Sequence, residues 1–580
     1  MKLFSKCIRH IALFIFLNFT HLQAQYNNLW IPDTLSGTQF NLTIKDTFAQ
    51  IVDKGNQTIT AGINGKFWGP TLFFNKGDVV HMNVKNNLND STTLHWHGFH
   101  LPAVMDGGPH QVIPPGTLWQ PYWKVTNNAS TYWYHPHLHE MTLEQITKGI
   151  GGLIIVRDEI EDALALPRNY GIDDIPLVLT DRDFNSQNQF TPVPYGDSAM
   201  VNMTLRPQFS APGQVVRFRF LNAAIERSFN IGFSDNRNFS VICSDGGLLD
   251  APVSVNRYLL HAGERIEIVV DFKNEEGKSV DLKAYNSTLA NNVGGGENFT
   301  TGPFGNFLGK KDFNLLHINV GPKTTRPVTT IPTTLTKNVL LNVADAKITR
   351  SLTISDSAGV RDPVILGPNA FIINHKLFKL DYNEYEVPVG NTEIWQITST
   401  SAFGHPFHIH DVQFNIISVN GVPPTPAQAG WKDVVFVPGR MGPGGAGNIV
   451  KFIARFDDYA DKLHPFMYHC HIALHEDEGM MGQFVVTGTS TANNDLPFDA
   501  VDFTLYPNPA QTKVFVQFGN PVESAYYIKI INALGKTVIM LPSPELKNGI
   551  DISSLKAGVY YMQLTDNSTK QMTSKTFLIQ

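Results

Sequence analysis

The sequence predicts an all-β protein: three copies of one β-sandwich, then a smaller C-terminal β-sandwich module. Three observations carry this. The 580 residues include 38 Phe, 17 Tyr, 46 Gly and 35 Pro, a mixture that suits strands joined by tight turns better than helices. One pattern, a turn glycine followed by apolar–polar alternation, recurs at Gly77 to Asn86, Gly213 to Asn222 and Gly390 to Thr398. Alternation with period two puts one strand face in a core and the other outward. After residue 500 the chain starts afresh with short strand patterns of its own.

The elements follow in order. At roughly 150 residues per domain, the length argues for about four domains. Residues 1–24 read as a secretory signal: Lys2, Lys6 and Arg9 precede an apolar run at 11–19, and Leu22-Gln23-Ala24 offers a cleavage end. The run is short of the roughly 20 apolar residues that a membrane span needs, and Cys7 would leave with it. The first unit is assigned to 25–160 and closes on Gly152 to Val156. The second, 161–325, closes at 315–320, and the third, 335–490, closes at 482–486. Pro322, Pro327 and Pro332 mark the linker before the third. The module at 500–580 opens on the turn-rich Leu505 to Ala510 and continues with strand patterns at 514–518, 526–531, 538–541, 559–564 and 573–579.

Composition narrows the function. Charged residues are 17% and the net charge is -6, so there is no basic surplus for nucleic acid or an acidic membrane surface. Three cysteines, Cys7, Cys243 and Cys470, are too few and too scattered for a disulfide scaffold. The 20 histidines are clustered instead, which makes metal binding the first question.

Four segments carry the clusters: His95-Trp96-His97, His135-Pro136-His137-Leu138-His139, His405-Pro406-Phe407-His408-Ile409-His410, and His469-Cys470-His471 with His475 and Met480. Each holds an H-x-H pair. On a strand, residues i and i+2 face one side, so two imidazoles can serve one metal or two adjacent ones. In His469-Cys470-His471 the thiolate faces away from both histidines. Cys470, His405, His475 and Met480 make one thiolate, two imidazoles and a thioether, the donor list of a blue copper electron-transfer site. The remaining eight, His95, His97, His135, His137, His408, His410, His469 and His471, could hold three metal ions. They pair the first unit with the third. A zinc hydrolase needs three or four ligands and no second thiolate site.

Over about residues 30–490 these segments resemble the multicopper oxidases, the family of laccases, bilirubin oxidase and bacterial cuprous oxidases. The resemblance implies three cupredoxin-like Greek-key domains, four copper ions and a middle domain without ligands. It puts His405, Cys470, His475 and Met480 on type 1 copper and His95 and His408 on type 2. His97, His135, His137, His410, His469 and His471 fall on the binuclear type 3 pair. The implied reaction is oxidation of phenols or similar small reductants coupled to reduction of O2 to water. Electrons would run from type 1 along Cys470 to His469 and His471. The alternative within the family is a metal-ion oxidase acting on Cu(I), Mn(II) or Fe(II). Asp106 and Glu476 resemble the family's proton-relaying acids. A metal-free structural or division protein would have lost ligands, and all twelve are here.

Other residues are read as follows. His139 is expected to line the cluster, His81 and His317 to be structural, and His261, His375 and His464 to be loop or surface residues. Cys243 is expected to be buried and inert. Glu140 and Asp411 stand where the family often has Gly. No methionine-rich insert precedes the fourth segment, which weakens a dedicated cuprous oxidase. The tail, with Leu505-Tyr506-Pro507-Asn508-Pro509-Ala510 and Leu555 to Tyr560, resembles the type IX secretion sorting domain of Bacteroidetes. It implies export through the periplasm, then secretion or surface attachment, with the secretion machinery as partner. The oxidase itself is expected to be a monomer acting on O2 and a small reductant.

Overall fold

The three repeated strand patterns fold into the same place in three successive units. The computed structural model describes residues 26–299, 301, 304–358, 369–440, 447–488, 503–518, 526–532, 536–542, 549–566 and 572–580; the signal segment and Cys7 lie outside them. Each repeat strand pairs in parallel with the first long strand of its unit: Val79–Asn87 with Gln39–Ala49, Val215–Asn222 with Asp174–Phe184, and Asn391–Ser399 with Ile348–Ala358. The closing strands repeat a second parallel pairing: Gly152–Arg157 with Thr71–Asn75, Asp312–Gly321 with Pro207–Pro212, and Met481–Thr487 with Tyr385–Pro388. The sequence repeat is therefore a repeat of topology, and the molecule is a tandem of cupredoxin-like sandwiches with a distinct C-terminal β module.

Period-two burial holds in the first unit, where Val80, Met82 and Val84 are buried while Val79, His81 and Asn83 are only half-buried. It fails in the second. Val215–Asn222 is buried on both faces, because its polar face is closed by an ion network within the unit. Arg217 pairs with Glu161 and Glu267, and Arg219 with Asp174; Arg219 also reaches Thr131 of the first unit at 3.3 Å. The three cores are built around Trp96 and Trp123, Phe218 and Phe220, and Trp395 and Phe484. Burying each such aromatic contributes about 1.5–3 kcal/mol. Trp68, Trp133, Val178 and Leu221 form a further apolar cluster between the first and second units.

Two details differ from the sequence reading. Asn27 and Asn28 pair with Pro207 and Gln208, so the start of the described chain is a strand of the second unit's sheet. The proline-rich linker is docked: Val215 donates to Val328 and Leu335 to Asp250, each at 2.9 Å, and Leu335 is buried. The C-terminal module has sheets of three and four strands over a core of Phe503, Val514, Ile528, Met562 and Phe577. Its first strand, Phe503–Tyr506, precedes the turn. Among the described residues, no helix is long and apolar enough to cross a membrane.

Candidate metal centre

Four strands and one short helix carry or adjoin the donors: β1 (His95–His97), β2 (Ser130–His135), β3 (His405–Ile409), β4 (Asp461–Cys470) and α2 (Ala473–Asp477), with a further short helix, α1 (Thr142–Lys148), packed beside α2. Register does the placing. β1 and β2 set His95 opposite His135, and β3 and β4 set His408 opposite His469. Of the H-x-H pairs, only His95 and His97 lie wholly within one strand; His137, His410 and His471 fall just past strand ends. The pairs 135/137, 408/410 and 469/471 are each divided between donor groups, while His95 and His97 also come together in one group with His408.

The thiolate group is His405, Cys470 and His475. Cys470 Sγ stands 3.5 Å from Nδ1 of both histidines. Gly479, at φ +93°, ends α2 in the left-handed region that glycine tolerates. The chain then folds back so that Met480 donates to the His475 carbonyl at 2.9 Å and accepts from Cys470 N at 3.1 Å. Met480 is buried in the same core as Cys470.

Two groups of three imidazoles follow. In the first, His97 Nδ1 lies 3.4 Å from His135 Nε2 and 3.2 Å from His471 Nε2. In the second, His469 Nε2 lies 3.2 Å from His137 Nε2 and 3.4 Å from His410 Nε2. Imidazole–metal bonds of about 2.0 Å put nitrogens about 3.3–3.5 Å apart on a tetrahedral or trigonal centre, so both groups fit a metal ion. His95 and His408 face each other differently. Their Nδ1 atoms bond the carbonyls of Asp106 (3.0 Å) and Asp433 (2.8 Å). Their buried Nε2 atoms have no hydrogen-bond partner among the described residues, which suits a two-imidazole metal site.

Burial and the neighbouring rings hold His97, His135, His137, His408, His410 and His471 well below the ordinary imidazole pKa. Burial takes His405 and His469 down to about 3. Neutral imidazole is the form that ligates. Burial raises the Cys470 thiol, a cost that a bound metal removes by stabilising the thiolate.

The known proteins that share this arrangement are consistent. Residues 45–161, 176–292 and 344–490 each match a family described as multicopper oxidase. A multicopper oxidase of Staphylococcus aureus is 31% identical over 445 residues, covering 75% of this chain and 85% of that one. The chain belongs to the multicopper oxidases. The solved structure of a laccase-like multicopper oxidase, CueO from Ochrobactrum sp., shares 34% identity and a TM-score of 0.69 over 79% of this chain and 100% of that one. The cell division protein FtsP of Escherichia coli is 29% identical over 441 residues, 74% of this chain and 86% of that one. With its donor groups assembled, this protein is a copper-dependent oxidase coupled to O2 reduction. Residues 504–580 match the secretion-system C-terminal sorting domain, which makes the oxidase an exported protein, secreted or held at the cell surface.

Two carboxylates brace the oxidase's histidines. Asp106 Oδ2 is 2.7 Å from His410 Nδ1, and its Oδ1 is 3.2 Å from His95 Nδ1. Glu476 Oε1 is 3.1 Å from His137 Nδ1 and accepts from Thr142 Oγ1 at 2.8 Å; its Oε2 is 3.4 Å from His469 Nδ1. Such partners fix ring orientation and tautomer.

Several side chains sit elsewhere than the sequence suggested. The His139 ring lies edge-on to Phe378 at 5.3 Å; β2 ends at His135, so strand alternation does not extend to His139. His261, expected in a loop or at the surface, lies in the loop after Tyr258–Leu260 but is buried; it stacks on Phe436 at 3.9 Å and bonds Ser228 Oγ at 2.9 Å. Asp411 is also left-handed (φ +72°), and its carboxylate meets His100 at 2.7 Å. Cys243 is buried and free, its thiol pushed up by burial. Sequence reasoning missed Asp433, whose side chain reaches His97 Nε2 at 3.1 Å. The one available signal was an adjacent charged pair, Lys432-Asp433, heading the apolar strand Val434–Val437.

Proposed function

We propose that the oxidase couples one-electron oxidation of phenolic or similar small organic reductants to four-electron reduction of O2 to water, acting as a monomer. Cys470, His405, His475 and Met480 would hold one type 1 copper. His95 and His408 would hold type 2. His97, His135 and His471, with His137, His410 and His469, would hold the type 3 pair. Bound copper supplies reversible one-electron redox chemistry, tuned by the thioether and by the buried surroundings.

The chain's own residues do the rest. Cys470 is joined by its main chain to His469 and His471, a covalent connection between the thiolate group and both three-imidazole groups. The eight cluster imidazoles are buried, which keeps bulk water off the reducing site. Reduction of O2 also consumes protons. Asp106 and Glu476 are buried carboxyls in hydrogen-bond reach of His410 and His137, positions from which each can hold a proton at a carboxylate oxygen and pass it inward.

The observation that favours an organic donor is aromatic. The half-buried ring of Phe371 lies 4.9 Å from His405 and 4.3 Å from His475, and Phe403 lies 6.0 and 6.1 Å from the same rings. Flat apolar rings beside the type 1 imidazoles suit an aromatic reductant better than a hydrated ion. A second reading, metal-ion oxidation, draws on a cleft of about 1130 Å³ between α1 and α2, where Glu140, Asp477 and Glu478 line the wall beside the Glu144–Lys148 ion pair. Oxygen uptake by the copper-loaded chain decides between them. The proposal expects a higher kcat/KM for 2,6-dimethoxyphenol than for Cu(I), Fe(II) or Mn(II). A metal ion that outpaces every phenol tested would establish the second reading.

A further inference from the structure

The second unit contributes no histidine to the donor groups, yet it touches them at two points. Gly263, at φ +82°, packs so closely that a Cβ there would stand 2.7 Å from the His471 ring. Two residues on, Arg265 reaches the third unit. Its Nη1 donates to Asp433 Oδ1 at 2.7 Å and its Nη2 to Asp433 Oδ2 at 2.5 Å, a bidentate fork.

Asp433 is the hub. Its Oδ1 also faces His97 Nε2 at 3.1 Å, and its main-chain carbonyl accepts from His408 Nδ1 at 2.8 Å. The two rings so held are stacked on each other, centroids 3.8 Å apart at 11°. One aspartate therefore sets the tilt of two stacked imidazoles of the cluster.

Arg265 is itself fixed. Its Nε donates to Thr131 O at 3.1 Å, Nη1 to Gly263 O at 3.0 Å and Nη2 to Asp245 O at 3.1 Å. The guanidinium thus bonds the first, second and third units at once. Gly98, at φ +83°, leaves room for it; a Cβ there would collide with Asp433 Oδ2 and come within 2.9 Å of Arg265 Nη2.

We propose that Arg265 is a positioning residue of the oxygen-reducing cluster: its guanidinium locks Asp433, whose carboxylate orients His97 and whose main-chain carbonyl holds His408, so the ligand-free second unit completes the copper site. The inference rests on the type 2 and type 3 assignment given above. A planar fork does this where an ammonium does not, because only the fork meets both carboxylate oxygens at fixed angles.

The test uses the full copper-loaded chain, with Arg265→Lys, Arg265→Ala and, as a control in another buried ion network, Arg219→Lys. Copper retained against graded chelator is measured beside the type 2 EPR signal and the blue type 1 band. Arg265→Lys is expected to lose cluster copper at chelator concentrations about 10–100-fold lower. Its type 2 signal changes while the blue band stays. Methylguanidinium restores retention to Arg265→Ala and methylammonium does not. Arg219→Lys keeps both signals. Wild-type retention and type 2 signal in the Arg265 variants would overturn the proposal. So would loss of the blue band in step with the cluster, since that is the mark of a general interface defect. A wild-type chain without a type 2 signal overturns the underlying assignment first, and the role of Arg265 with it.

Discussion

Glu476 Oε1 stands between Nδ1 of His137, at 3.1 Å, and the hydroxyl of Thr142, which donates to it at 2.8 Å. Burial, with the neighbouring Asp477 charge, pushes its carboxyl well above the usual range. That environment favours the protonated carboxyl beside His137. Glu476→Gln keeps the shape and the hydrogen bond from Thr142 but cannot release a proton. We predict a fall in kcat of about 10²-fold, with copper content and the blue band unchanged. Oxygen uptake and absorption on one sample check both, and unchanged kcat would remove Glu476 from the proton path.

Cys470 gives the second prediction. Its Sγ lies 3.5 Å from Nδ1 of His405 and of His475, and no other cysteine is near: the second described one, Cys243, belongs to the second unit's core. Cys470→Ser should abolish the blue band and reduce phenol-driven oxygen uptake to background. The cluster's type 2 EPR signal should persist, because none of its eight imidazoles is altered. A surviving blue band would show that the thiolate site is elsewhere.

How far the sequence reaches is set by how local each signal is. The donor groups were legible because their histidines stand in H-x-H segments and beside Cys470. The repeat strands were legible because burial on one face writes period two into Val80, Met82 and Val84. The bracing residues were not. Asp433 acts on His97 from 336 positions away and is held by Arg265 from 168 away, and neither leaves a pattern beside it. The burial of His261 was not legible for the same reason: it depends on Phe436, in another unit. His139 failed in the opposite way. A local run suggested a role that the end of the strand at His135 takes away.

The C-terminal module gives the third prediction. Every strand from Phe503 to Ile579 pairs only with others of that stretch among the described residues, around its own core. A chain ending at residue 490 should therefore fold, load copper and oxidise phenols like the full protein. It should fail to reach the medium or the cell surface and collect in the periplasm instead. Activity in cell fractions measures both. A truncated chain still exported normally would mean that the sorting domain is dispensable.

The fourth prediction concerns pH. Tyr195 Oη donates to Glu226 Oε1 at 2.7 Å, with Glu297 Oε1 at 3.4 Å from the same hydroxyl. Burial first, then mutual repulsion, raises Glu226 from 4.5 to about 8, and burial raises Glu297 to about 7. In the unfolded chain both titrate near the ordinary carboxyl value. Between these limits the folded state binds more protons than the unfolded one, so unfolding becomes easier as pH rises. The stability contributed by the protonated carboxyls is fully present below about pH 4.5 and is lost as pH rises through about 8. The slope is at most about 1.4 kcal/mol per pH unit for each group. Glu226→Gln stays neutral and still accepts the tyrosine hydroxyl. It should match the wild type at pH 5, exceed its melting temperature at pH 8.5 by several degrees, and flatten the profile between. Parallel thermal melts from pH 5 to 9 measure this, and identical slopes for the two proteins would show that Glu226 is ionised in the folded state.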